Sequence, residues 1–110
     1  MVVAVVGDGG FGFTLNELAT AVQHDIHTVT VVFDDGAYGN SNRDQRERFG
    51  GREIGTELRN PDFVKFAESF GADATRVTKG GDVGPALREA LGNDRPTVIE
   101  VPMDRLPAPF

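Results

Sequence analysis

The 110-residue chain has no cysteine, no tryptophan, one tyrosine and two histidines. Without cysteine there is no disulfide, no thiolate nucleophile and no Cys-ligated zinc. Bases are scarce as well: 11 Lys and Arg face 17 Asp and Glu, for a net charge of −6. Nucleic-acid binding needs a basic face, so none is expected, whereas an acidic chain tolerates a metal cation among its carboxylates. No apolar run approaches the roughly 18 residues of a membrane span, so no membrane partner is expected. The opening apolar residues have no basic leader and stop at Asp8 and its glycines, unlike a secretory signal. A cytoplasmic setting is the expectation. The 39% hydrophobic and 25% charged fractions are those of an ordinary globular protein, and the length allows one small domain.

Val2–Val6 is a continuous Val-rich run, which reads as a strand buried on both faces. Thr14-Leu15-Asn16-Glu17 matches a capping box with Thr14 as N-cap. Leu15, Leu18, Ala19 and Val22 follow at helical spacing, and the helix should end near His24-Asp25. Thr28–Phe33 is a second β-branched strand, so the first third reads as a βαβ unit. Residues 34–55 are polar and hold five glycines. A loop of that length is usually functional or disordered. Its Arg43, Arg46, Arg48 and Arg52 alternate with acids, which reads as a solvated or briefly helical stretch.

Asn60-Pro61-Asp62 reads as a helix start, with Asn60 as N-cap and Pro61 in the first position. Phe63, Phe66, Ala67 and Phe70 share one face, and Gly71 stops the helix. Ala74–Thr78 is a third strand. Asp82 should cap a helix through Leu91, with Val83, Ala86, Leu87 and Ala90 inward. Pro96–Val101 is a fourth strand, and residues 104–110 form a Pro-rich tail. The alternation predicts an α/β domain over residues 1–103, a parallel sheet with helices on both faces and four visible strands. Ligands of such sheets bind outside the carboxyl ends of the strands.

That rule draws attention to Gly7-Asp8-Gly9-Gly10-Phe11-Gly12, which follows the first strand and fits the dinucleotide pattern G-x-G-x-x-G. Asp34 and Asp35 follow the second strand, as the fingerprint also asks. A Rossmann-type NAD or FAD domain of an oxidoreductase is therefore one reading. Asp8 argues against it. A carboxylate between the first two glycines would face the pyrophosphate with no nearby base in the turn, a repulsion of several kcal/mol in a low-dielectric site, by a rough Coulomb estimate. A divalent cation removes the conflict by binding carboxylate and diphosphate together. Asp35, at the end of the adjacent strand, supplies a second carboxylate. Carboxylates, a loop carbonyl and phosphate oxygens are the hard ligands that Mg²⁺ prefers.

"GDGGF", followed by "DDGAYGN" whose second Asp lies 27 residues after the first motif's Asp, resembles the diphosphate-binding motif of thiamine diphosphate-dependent enzymes, in particular their acetolactate synthase-like members and related decarboxylases. "NELATAVQH", "NPDFVKFAESFGA" and "RPTVIEV" extend the likeness over nearly the whole chain. The resemblance implies thiamine diphosphate and Mg²⁺ as cofactors. It makes Asp8, Asp35 and the Ala37 carbonyl the metal ligands, and Gly9 and Gly10 donors to the diphosphate. Gly7 and Phe11 complete the turn, and Tyr38, Gly39 and Asn40 lie in the loop that closes over the cofactor. One departure stands out: the family's pair usually begins with Asn, and here it begins with Asp34. An ionised carboxylate cannot donate a hydrogen bond as an amide can.

The resemblance also implies a partner, since the family's cofactor lies between this domain and a pyrimidine-binding domain, often of a second subunit, that supplies the activating Glu. No stretch of this chain resembles that domain, and none of its residues reads as the general base. The expectation is an inactive isolated chain, drawn from an enzyme that makes or breaks a C–C bond of a 2-oxo acid and is a homo-oligomer when complete. The chain opens directly on a core strand, which is expected of a segment cut from something longer. The family's sheet has further strands, so the four seen here should lie in the order first, second, fourth, third, with the first left as an exposed apolar edge.

Plainer readings stand beside these. Asp8 and Asp35 are also ordinary turn residues. His24 and His27 read as surface residues, Tyr38 equally as loop packing, the Phe63–Phe70 stripe as core, and Thr78-Lys79 as a strand-end loop without a role. A receiver-like signalling domain would carry its acid pair after the first strand rather than the second. A non-catalytic interaction module that keeps half a cofactor site is a further alternative.

Overall fold

The structure, a computed structural model, describes residues 1–105 and Pro107. Of the tail expected at 104–110, residues 106 and 108–110 lie outside the described residues. Four strands, β1 (Val2–Gly7), β2 (Thr28–Asp34), β3 (Asp73–Arg76) and β4 (Thr97–Pro102), form one sheet in the order β1-β2-β4-β3, all parallel. That is the expected order. Five helices connect them: α1 (Asp8–Thr14), α2 (Leu18–Gln23), α3 (Gly39–Arg48), α4 (Phe63–Ser69) and α5 (Val83–Gly92). Among the described residues no helix is long and apolar enough to cross a membrane.

Strand side chains alternate between faces, and each face has its own core. Val32 and Val98 meet Phe11, Leu18, Phe63, Ala67 and Ala72 on the side of α1, α2 and α4. Val29, Val31, Ile99 and Val101 meet Val77 and Ala90 on the side of α5. β4 is buried along Thr97–Val101, as a central parallel strand should be. Its one charge, Glu100, is held by Arg76 of β3 at 3.0 Å, and Arg76 also reaches Asp62 at 2.9 Å.

β1 departs from the expectation of burial on both faces. Val3 and Val5 pair with Val29 and Val31 and share their face, but α5 packs mainly over β2 and β4. Val3 and Val5 are therefore exposed, Val5 at 67%, and Val2, at the start of the strand on the other face, is exposed as well. The apolar edge expected at the first strand is present.

Two helix starts also differ. The first helix begins at Asp8, inside the Gly-rich segment, and Thr14 makes no side-chain cap. Packing outweighs the poor helix propensity of glycine here. Phe11 is buried and meets Phe63 edge-on, with ring centroids 5.4 Å apart, which requires the segment to coil. A short 3-10 turn at Leu15–Glu17 then leads into α2. In α4 the N-cap is Asp62, whose Oδ1 accepts from Lys65 N at 3.2 Å, rather than Asn60. At α5 the residue is as expected, but the Asp82 side chain makes no cap bond.

The long polar loop contains the ten-residue α3. Polar groups rather than apolar ones anchor it. Asn42 is fully buried and donates to Glu53 Oε2 at 2.6 Å and Thr56 Oγ1 at 2.9 Å. The Gln45 amide exchanges two hydrogen bonds with the backbone of Ile54, at 2.9 and 3.0 Å. Residues 53–58 thus form a strap along α3. His24 is exposed, and His27 is half-buried with Nε2 3.2 Å from the Ala90 carbonyl.

Candidate functional site

The carboxyl ends of β1, β2 and β4 open into one cleft of about 400 Å³. Gly7 ends β1 there, and Asp8, Gly9 and Gly10 follow as the first residues of α1. Asp35 and Ala37 come from the turn after β2, and Tyr38, Gly39 and Asn40 from the start of α3. Residues far apart in sequence are thereby collected on one wall. Phe11 is the exception among the expected site residues. Its ring is buried in the core and does not line the cleft.

Burial and hydrogen bonding hold Asp8, and close packing holds Asp35. Asp8 is 3% exposed. Asp35 Oδ1 accepts from Ala37 N at 3.1 Å, and a Cβ on Gly39 would fall 2.7 Å from Asp35 Oδ2. Only glycine lets α3 start that close to the carboxylate. Gly9 is equally constrained, since a Cβ there would fall 2.7 Å from the Tyr38 ring. Tyr38 also stacks on Phe13 at 6.4 Å, so it packs as well as lining the cleft. The bridge between Ala37 and Glu57 uses Leu58 N to Gly36 O and Tyr38 N to Thr56 O, which leaves the Ala37 carbonyl out of the ladder.

Asp34 does not line the cleft. Its Oδ1 accepts from Gly36 N at 3.0 Å and from Asn60 Nδ2 at 2.8 Å. Burial pushes the Asp34 carboxyl above its ordinary value and Asp8 adds to this, while the Gly36 and Asn60 bonds pull the other way. Asn60, read from the sequence as a helix cap, lies between Asp34 and Asp8 and donates to Asp8 Oδ2 at 2.6 Å. The Asn-Pro-Asp spelling masked this, because either flanking residue fits an N-cap. Arg43, Arg46 and Arg105 also line the cleft. Arg105 is paired with Glu57, and its guanidinium is pushed up chiefly by that bond.

Among the described residues no three Asp, Glu or His side chains converge on one point. The cleft offers two carboxylates and a backbone carbonyl with no hydrogen-bond partner among the described residues, the hard-oxygen set of a cation that keeps further positions for phosphate or water. The donor chemistry therefore fits Mg²⁺ with a diphosphate.

Residues 1–101 match the family described as "Thiamine pyrophosphate enzyme, C-terminal TPP binding domain". The chain belongs to this family. It is 38% identical over 103 residues to an acetolactate synthase of Bacillus subtilis (strain 168), covering 94% of this chain and 18% of that protein. A sulfoacetaldehyde acetyltransferase of Castellaniella defragrans is 37% identical over 103 residues, covering 90% of this chain and 17% of its own length. Among solved structures, a thiamine diphosphate-dependent 4-hydroxybenzoylformate decarboxylase of Rhodococcus jostii RHA1 superposes with a TM-score of 0.86 at 31% identity. That match covers 94% of this chain and 20% of the decarboxylase. The chain thus spans about a fifth or less of the proteins it matches. As a TPP-binding domain, it is not read as a nicotinamide or flavin domain, although its glycines spell that pattern.

Proposed function

We propose that this domain anchors the diphosphate of thiamine diphosphate through Mg²⁺ held by Asp8, Asp35 and the Ala37 carbonyl. One observation carries the reading: two carboxylates 27 residues apart in sequence line one cleft, beside a carbonyl outside the ladder. Gly7 and Gly10 have open space where a Cβ would sit, and Gly9 lies against the Tyr38 ring, so backbone N–H groups of the turn can approach phosphate oxygens. Tyr38 and Gly39 fix the position of the turn and of Asp35, and Asn40 lies beside them at the rim. When bound, the cofactor would supply the thiazolium that stabilises negative charge on the carbonyl carbon at which a C–C bond is made or broken. This chain's residues bind and orient it. The parent enzyme is proposed to make or break a C–C bond of a 2-oxo acid, as a homo-oligomer, with a pyrimidine-binding domain on the other side of the cofactor. We assign no catalytic acid or base to this chain, and propose that it is inactive alone.

Calorimetry tests this with thiamine diphosphate plus Mg²⁺, thiamine diphosphate plus EDTA, and NADH. Binding only in the presence of Mg²⁺, abolished by Asp8→Ala, is the expected result. Metal-independent binding of NADH, or binding that survives Asp8→Ala, overturns the reading.

A further inference from the structure

Asn60 is 52 residues from Asp8 and 26 from Asp34, yet one nitrogen of its side chain serves both: Nδ2 donates to Asp8 Oδ2 at 2.6 Å and to Asp34 Oδ1 at 2.8 Å. An amide nitrogen carries two hydrogens, so each carboxylate takes one. The nearby helix does not need Asn60 as its cap, because Asp62 fills that role. Asp8 lines the cleft, and of its two carboxylate oxygens Oδ2 accepts from Asn60. Asp34, the extra acid of this chain, is tied to Asn60 and Gly36 and stays off the cleft lining.

We propose that Asn60 is the positioning residue of the cation site: it sets the rotation of the Asp8 carboxylate and holds Asp34 away from the metal. This rests on the metal-bridged reading above. Outer partners of this kind orient metal ligands, and their loss typically costs about 10–100-fold in metal affinity. Without Asn60, Asp8 and Asp34 would face each other with no donor between them, and either would be free to turn. The arrangement needs one amide among two carboxylates, and the shared Asn60 Nδ2, 2.6 Å from Asp8 Oδ2 and 2.8 Å from Asp34 Oδ1, brings the two acids beside each other. Exchanging the partners, Asp34→Asn with Asn60→Asp, therefore restores a donor to Asp8 from the other side.

The test titrates Mg²⁺ into the full chain at fixed thiamine diphosphate and follows the backbone amide NMR shifts of Gly9 and Gly10. The proteins are wild type, Asn60→Ala, the Asp34→Asn/Asn60→Asp exchange, and Asp8→Asn. The expected result for Asn60→Ala is a half-saturating Mg²⁺ concentration raised roughly tenfold or more, with cofactor binding recovered at saturating Mg²⁺. The exchange should return most of that loss. A purely structural role would lower stability without moving the Mg²⁺ midpoint. An unchanged midpoint in Asn60→Ala, or an exchange variant no better than a folded Asn60→Ala, overturns the proposal and leaves the metal reading standing. If Asn60→Ala does not fold, the exchange decides by its own midpoint: near wild type supports the proposal, and a tenfold rise overturns it. Loss of Mg²⁺-dependent shifts in wild type, or their persistence in Asp8→Asn, removes the metal reading and this proposal with it.

Discussion

At the scale of single residues, the cleft is shaped as much by missing side chains as by carboxylates. Gly39 is the sharpest case. Alanine at an unconstrained helical position would gain about 0.5–1 kcal/mol over glycine. Here its Cβ would fall 2.7 Å from Asp35 Oδ2, so either the carboxylate or the start of α3 must move. Gly39→Ala is therefore expected to fold but to weaken Mg²⁺-dependent binding of thiamine diphosphate by roughly tenfold, as disturbed ligand orientation does elsewhere. Calorimetry beside a urea melt separates the two effects. A variant that binds as wild type would show that Asp35 need not stay where it is. That Asp8 and Asp35 line one cleft was legible in the sequence, because both acids follow the carboxyl ends of strands in one βαβ unit. Asn60 was not legible, since its role depends on two acids that only the fold brings beside it.

At the scale of elements, legibility followed the kind of anchoring. β2, β4 and α4 are held by apolar side chains at regular spacing, and their places were readable to within a residue or two. α3 has no such stripe. It is tied by Asn42 and Gln45 to the strap at residues 53–58, and amide side chains leave no periodic signal. α1 was hidden for another reason: its glycines read as a turn, while the one residue that makes it coil, Phe11, sits among them. The anchoring of α3 is testable. Asn42→Ala removes two hydrogen bonds, the one to Thr56 buried and the one to Glu53 part-buried, and leaves both partners with fewer donors, for an expected loss of about 1–3 kcal/mol in urea unfolding. The midpoint should fall while the sheet signal in circular dichroism is unchanged. No change in the midpoint would mean that α3 is held by something else. Because α3 carries Tyr38 at its cap and Gly39 at its start, the same variant should also loosen the cleft.

At the scale of the whole molecule, the sheet has one satisfied side and one open one. β1 presents Val2, Val3 and Val5 to solvent, with no strand beyond it among the described residues. Exposed apolar edges of this kind invite pairing with another chain, and an inward- or edge-placed lysine suppresses it. The isolated chain is expected to associate with rising concentration in analytical ultracentrifugation, and Val3→Lys/Val5→Lys to remain monomeric over the same range. A wild type that stays monomeric throughout would mean that the edge is too short to recruit a partner. Strand order was readable once the family resemblance was recognised. The bareness of β1 followed from the same step, since the run of valines alone reads as a strand covered on both faces.

The central claim is that one cation bridges Asp8, Asp35 and the Ala37 carbonyl to a diphosphate. Manganese, which shares the oxygen preference of magnesium, tests this through paramagnetic broadening in the amide NMR spectrum of the full chain. In the presence of thiamine diphosphate, a trace of Mn²⁺ should erase the amide signals of Asp8, Gly9, Asp35, Ala37 and Gly39 first, and leave those of β3 intact. Asp8→Ala should remove that selectivity. Broadening centred elsewhere, or spread evenly over the acidic surface, would contradict the account.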